Sequence, residues 1–166
     1  MIEADPTTEI RVKVADCAVG RDDQTLITIG LGSCVAIVLY DEAVRVGGLA
    51  HTLLPEESMA RDRSNPAKFP ASAVALLLAE MTRLGADQRR VRAKLIGGAS
   101  MFANLIPAGG ITIGDRNINA ARQVLREIGV PIVAEDVGSD HGRSVHFFLD
   151  DGRVEVRSLK KGNRVL

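Results

Sequence analysis

Two apolar runs separated by a short polar turn, Val35 to Tyr40 and Val46 to Leu54, set the strongest limit on how this chain can fold. Val35 to Tyr40 is apolar throughout, the pattern of a strand buried on both faces. Asp41 to Val44 turns the chain, and Val46 to Leu54 returns as a second strand that ends at Pro55. Strands joined by so tight a turn pair antiparallel. With the turn centred on Glu42 and Ala43, opposed residues have numbers that sum to 85, which sets Cys34 opposite His51.

The rest of the chain adds short strands and two helices. Ile10 to Val19 reads as one strand, with Ile10, Val12 and Val14 alternating against Arg11 and Lys13, and Thr25 to Ile29 is a short β-rich run before the flexible corner Gly30-Leu31-Gly32-Ser33. Glu56 to Phe69 is a polar loop. Pro70 suits the first turn of a helix that runs to about Leu84 and stops at Gly85, with Val74, Leu77, Leu78, Met81 and Leu84 facing inward. Ala93 to Ile96 is a strand. Asn117 reads as the N-cap of a second helix reaching Ile128 and closed by Gly129, with Ile118, Ala121, Val124, Leu125 and Ile128 inward. Ile132 to Asp136 and Ser144 to Leu149 are strands, and the Asp151-Gly152 turn joins the latter to Val154 to Leu159 as a hairpin. Strands and helices outside strict βαβ alternation indicate an α+β fold with mixed sheets. The whole of 1–166 reads as one domain, with 1–9 and 160–166 poorly ordered.

Composition narrows the function. The charges balance at 21 basic and 21 acidic residues, scattered rather than clustered, and there is no Trp and one Tyr. That argues against a nucleic-acid partner. No apolar run approaches the ~20 residues that span a bilayer, so no membrane insertion is expected. The polar, acidic start from Met1 to Ile10 is unlike a secretory leader. Two cysteines, Cys17 and Cys34, do not make a disulfide framework, which points to a reducing cytoplasm and two free thiols.

The Cys34–His51 juxtaposition is where chemistry is expected. A cysteine beside an imidazole can be held as thiolate at neutral pH and serve as a nucleophile. The Gly-x-Gly-Ser corner before Cys34 could offer backbone N–H groups, at Gly32 and Ser33, to an oxyanion or substrate. Competing motifs fail. A dinucleotide turn needs glycine where Val35 stands, a hydrolase elbow needs glycine where Phe102 stands, and metal or phosphate-loop signatures are missing. No metal and no cofactor is expected. Cys17, without a partner base, reads as buried filler, and His141 and His146 as surface or packing residues.

At these residues the chain resembles the CheD chemoreceptor glutamine deamidases. The blocks are Thr28-Ile29-Gly30-Leu31-Gly32-Ser33-Cys34-Val35, Gly48-Leu49-Ala50-His51 and Leu54-Pro55. They continue through Ala93 to Phe102, Ile113-Gly114-Asp115-Arg116-Asn117, Ala134-Glu135-Asp136 and Gly142-Arg143-Ser144-Val145. The resemblance implies a layered α/β/β sandwich, with mixed and largely antiparallel sheets, similar to cysteine-dependent toxin deamidases. It places the catalytic cysteine at Cys34, histidine at His51 and threonine at Thr28, where the threonine would hydrogen-bond the imidazole. It implies action on the cytoplasmic helices of chemotaxis receptors and a CheC-type phosphatase as partner, by a protein expected to be monomeric. The rival readings are a module that binds and regulates such a phosphatase, and a thiol amidase of small molecules. The chain departs from the family pattern at Phe69-Pro70 and at Gly138-Ser139, which bears on contacts with substrate or partner rather than on the chemistry.

Overall fold

In the computed structural model, residues 8–101 and 110–166 are described. In chain order the strands are β1 (Glu9–Arg11), β2 (Cys17–Arg21), β3 (Thr25–Leu31), β4 (Val35–Asp41) and β5 (Val46–Thr52). Helix α1 (Pro70–Arg83), β6 (Arg92–Gly97), α2 (Ile113–Ile128), β7 (Ile132–Val137), β8 (Arg143–Phe148), β9 (Val154–Ser158) and β10 (Gly162–Val165) follow. One sheet has the order β2-β5-β4-β6-β7 and the other β1-β3-β8-β9-β10. Pairing is parallel for β1 with β3 and for β6 with β7, and antiparallel elsewhere.

The central hairpin explains the layering. Successive residues of β4 from Val35 to Leu39 alternate between two apolar environments. Val35, Ile37 and Leu39 pack with Val74, Leu77 and Met81 of α1 and Ile118, Ala121 and Leu125 of α2. Ala36 and Val38 pack with Leu26, Val145, Phe147 and Val156 of the facing sheet. The result is helices on sheet on sheet, the α/β/β sandwich expected from the sequence. Glycines let the sheets close. A Cβ at Gly47 would meet Leu149 and Phe147 within 2.5–2.8 Å, and one at Gly48 would crowd Leu77.

The register differs from expectation. Val35 pairs with Thr52, Ala36 with His51 and Asp41 with Val46, so opposed numbers sum to 87 and Cys34 is not directly opposite His51. The turn is displaced by one residue, to 42–45: Arg45 closes it in the left-handed region at φ 52°, and the Asp41 carboxylate accepts from the Ala43 N–H at 3.1 Å. A two-unit shift in that sum moves the partner by two residues and preserves the face, because side chains alternate with period two.

Other boundaries also move. Ile10 to Val19 is not one strand: Ala15 turns at φ 58°, so β1 joins one sheet and β2 the other. Helix α2 starts at Ile113 rather than after Asn117, since Thr112 caps it and exchanges hydrogen bonds with Asp115 in a capping box. Gly162–Val165 and Glu9, expected to be poorly ordered, lie in strands paired with β9 and β3. Cys17 is half-buried rather than sealed in the core.

The two-sheet core is testable at Phe147, fully buried and edge-on to Tyr40 with ring centroids 5.6 Å apart. Phe147→Ala is expected to cost about 3–5 kcal/mol, read from urea unfolding. A cost below about 1 kcal/mol would mean the sheets do not pack through this ring.

Candidate active site

The chain crosses between the sheets three times at one end of the sandwich, after β1, β3 and β7, and the expected site residues lie around the first two crossings. The first crossing, after β1, carries Val12 and the left-handed Ala15. The second, after β3, is the corner Gly32-Ser33-Cys34, prepared by Gly30 at φ 75° and a bulge in the β3–β8 ladder between Thr28 and Leu31. Thr28 lies on β3 and His51 on β5, so their contact spans the gap between sheets.

Thr28 Oγ1 lies 2.7 Å from His51 Nδ1 and donates to the Val12 carbonyl at 2.6 Å. A hydroxyl has one proton to give. Thr28 therefore accepts from His51, which fixes the proton on Nδ1 and leaves Nε2 as a bare acceptor. That Nε2 is buried and unpartnered among the described residues. The backbone of His51 is held as firmly: Ala15 N–H donates to its carbonyl at 2.9 Å, and its own N–H donates to Asp16 at 3.0 Å. Asn65, from the polar loop, donates to the Ala15 carbonyl at 2.8 Å, tying that loop to the first crossing.

Cys34 packs with Ala36, Val38 and Leu49, on the face that also carries His51. Since Ala36 opposes His51, Cys34 is its diagonal neighbour, a relation that spans about 7–8 Å between backbones and lets side chains meet. The corner is pinned by its carbonyls. Gly32 accepts from Ala99 N–H and Cys34 from Gly98 N–H, both at 2.8 Å, and Ser33 accepts from Asn117 Nδ2 at 2.8 Å. No backbone carbonyl among the described residues accepts from the N–H groups of Gly32, Ser33 or Cys34. Gly97, at φ 108°, is required here: a Cβ on it would overlap the Cys34 carbonyl oxygen.

The electrostatics oppose charge separation at rest. Burial pushes the Cys34 thiol above its ordinary value, partly offset by its own backbone N–H, and burial pushes the His51 imidazole below its ordinary value. Both shifts favour the thiol and the neutral imidazole over the thiolate–imidazolium pair. Cys34 is 8% exposed and His51 fully buried, while Gly30 is open and Ser33 and Leu53 to Pro55 are half-buried. The opening is thus on the cysteine side.

Asn117 was read as a helix cap and instead lies inside α2, with its side chain buried against the corner. Its Oδ1 lacks a partner among the described residues, a cost of about 1–3 kcal/mol. The signal was an Asn one turn before Ala121 on the apolar face. Cys17, facing Asp16 and Glu80, has its thiol raised by burial and by both carboxylates. His141 and His146 are half-buried. Among the described residues no group of three or more His, Cys, Asp or Glu could hold a metal. Phe69-Pro70 forms the buried entry to α1, Gly138 and Ser139 both take left-handed backbone, and Phe102 lies outside the described residues.

Fold and site together define an α/β/β sandwich with a thiol, an imidazole and a hydroxyl gathered where the chain crosses between sheets. The chain belongs to the CheD family: the family model for CheD chemotactic sensory transduction matches residues 53–158. Relatives extend over nearly the whole chain. A protein of Caldanaerobacter subterraneus subsp. tengcongensis, named "Probable chemoreceptor glutamine deamidase CheD", is 44% identical over 92% of this chain and 94% of its own. A protein of the same name from Pyrococcus abyssi is 45% identical over 94% of this chain and 95% of its own. The Neisseria meningitidis protein NMB0706, of the DUF152 family, has a similar fold, with TM-score 0.50 and 16% identity over 88% of this chain and 72% of that one. Among the described residues no helix is long and apolar enough to cross a membrane.

A neutral resting pair has a pH signature. A raised thiol pKa means that less thiolate is present at every pH than in a free cysteine of ordinary value 9.0. Alkylation of Cys34 in the absence of substrate is therefore expected to be slow at pH 7 and to climb through and beyond pH 9.0. A plateau of fast alkylation near neutrality, seen by peptide mapping, would show a preformed thiolate instead.

Proposed function

We propose that this chain deamidates glutamine side chains on the cytoplasmic helices of chemotaxis receptors, with Cys34 as nucleophile, His51 as base and Thr28 orienting the imidazole. The observation that supports it most is the bare, buried Nε2 of His51, on the face that carries Cys34 and fixed in its tautomer by Thr28. The names of the near-full-length relatives supply the substrate class.

The chemistry runs in two halves. Cys34 Sγ attacks the carboxamide carbon as Nε2 takes the thiol proton. The carbonyl oxygen becomes an oxyanion, and the Gly32 and Ser33 N–H groups, oriented away from the pinned carbonyls, stabilise it. Collapse breaks the C–N bond, with His51 returning its proton to the departing ammonia. Water then attacks the thioester, His51 accepts its proton, and Sγ leaves and is reprotonated, giving glutamate. Burial opposes the charge separation that this proton transfer creates, and the attraction between the resulting thiolate and imidazolium offsets part of that cost.

Cys34→Ala is expected to lower ammonia release from receptor cytoplasmic fragments by about 1,000-fold or more while the protein stays folded by circular dichroism. Intact-mass measurement of the fragments gives the same answer through the amide-to-acid increment. Near-wild-type turnover in this variant would remove Cys34 from the reaction.

The same rim suits a phosphatase of the CheC type. Ile29 and Met101, beside Gly30 and Gly32, and Ile111 and Ile113, flanking the Ser100–Thr112 hydrogen bond, are all exposed apolar side chains. Such a partner is expected to compete with receptor fragments, to shield Cys34 from alkylation and to bind Cys34→Ala undiminished. Tight binding that leaves turnover and alkylation unchanged would separate the two surfaces.

A further inference from the structure

The β4–β5 ladder ends at Val35 and Thr52, one residue short of the nucleophile. Beyond it the hairpin arms carry Cys34 on one side and Leu53 on the other with no ladder bond between them. Asn117 spans that gap. Its Nδ2 donates to the Ser33 carbonyl at 2.8 Å and to the Leu53 carbonyl at 3.2 Å. One amide thus grips the residue before Cys34 and the residue two after His51.

We infer that Asn117 is a positioning residue that holds Cys34 and His51 at their reacting separation. The inference rests on the reading that those two residues form the catalytic pair. Three observations carry it. The first is cost: asparagine is a poor residue inside a helix, and this one is fully buried and leaves Oδ1 unpaired among the described residues. The second is orientation. Two carbonyl oxygens face the same side-chain atom, so that atom must be a donor, and an oxygen there would be repelled by both. The third is rigidity of the mount. Gly114, one turn earlier on α2, lies against the Gly98 and Ala99 carbonyls, where a Cβ would collide. The N–H groups of Gly98 and Ala99 hold the Cys34 and Gly32 carbonyls. The helix, the glycine turn and the corner therefore form one body, and Ser33 is the point at which a side chain completes the grip.

Asn117 touches main-chain carbonyls rather than reacting atoms, so its loss acts through geometry. A displacement of about 1 Å can cost about 100-fold in turnover. Asn117→Ala and Asn117→Asp are expected to lower kcat by about that factor with KM changed less than about threefold. Asn117→Ser, which keeps one donor, is expected to fall between them and wild type, and it stands in if the other two fail to fold. The distinguishing readout is the pH profile of Cys34 alkylation. The Asn117→Ala profile should move toward that of His51→Ala, and the double variant should match His51→Ala alone. Shifts that simply add in the double variant, or an Asn117→Asp enzyme with wild-type kcat, would overturn the inference. If Cys34→Ala or His51→Ala retained turnover, the catalytic reading would fall instead, so the two failures are distinguishable.

Discussion

The hydrogen bond between Thr28 and His51 reaches across a layer that is otherwise built from Leu26, Val38, Leu49, Val145 and Phe147. A hydroxyl and an imidazole in such a layer are costly unless each satisfies the other. Their pairing fixes one sheet against the other at the end where the chain crosses over, and the backbone conforms to it. Ala15 accepts a left-handed conformation, worth about 1–3 kcal/mol of strain, so that its N–H and the Asp16 carbonyl can bracket the His51 backbone. The long polar loop then contributes Asn65 to hold that turn. Polar economy at one imidazole thus organises three segments far apart in sequence.

Much of this was legible in the residues. The apolar continuity of Val35–Leu39 marked a doubly covered strand, and the stripe Val74, Leu77, Met81 marked the buried face of α1. The break within Ile10–Val19 left only a weak mark: the alternation of Ile10, Val12 and Val14 stops at Ala15 and Asp16, while the φ sign that splits the strand leaves no trace in an alanine. Thr112-x-x-Asp115 does carry the start of α2, yet Asn117, itself a good cap, competes with it. The strand at Gly162–Val165 is exposed throughout and carries only one apolar side chain, Val165, so it is held by main-chain pairing with β9 that no side-chain pattern announces.

A direct pairing of Cys34 with His51 is off by two residues, yet parity keeps both on one face of the sheet. A one-residue error would have sent them to opposite layers. The charge state was not legible, since burial of each group depends on the second sheet, which neither residue's neighbours in sequence reveal. Asn117 escaped for the same kind of reason: its partners, the carbonyls of Ser33 and Leu53, are main-chain atoms and have no sequence signature.

Concealment of Cys34 has a bearing on durability. Peroxide and related oxidants attack thiolates that solvent can reach, and they climb from sulfenic acid to forms that cells cannot reverse. A thiol that is 8% exposed and held protonated offers little of either property. Half-buried Cys17, flanked by the Asp16 and Glu80 carboxylates, is likewise kept protonated. With Cys34 as the proposed nucleophile, the protein can in this way pass through oxidative episodes with its sulfur intact, becoming vulnerable chiefly in the moments when His51 draws the proton away.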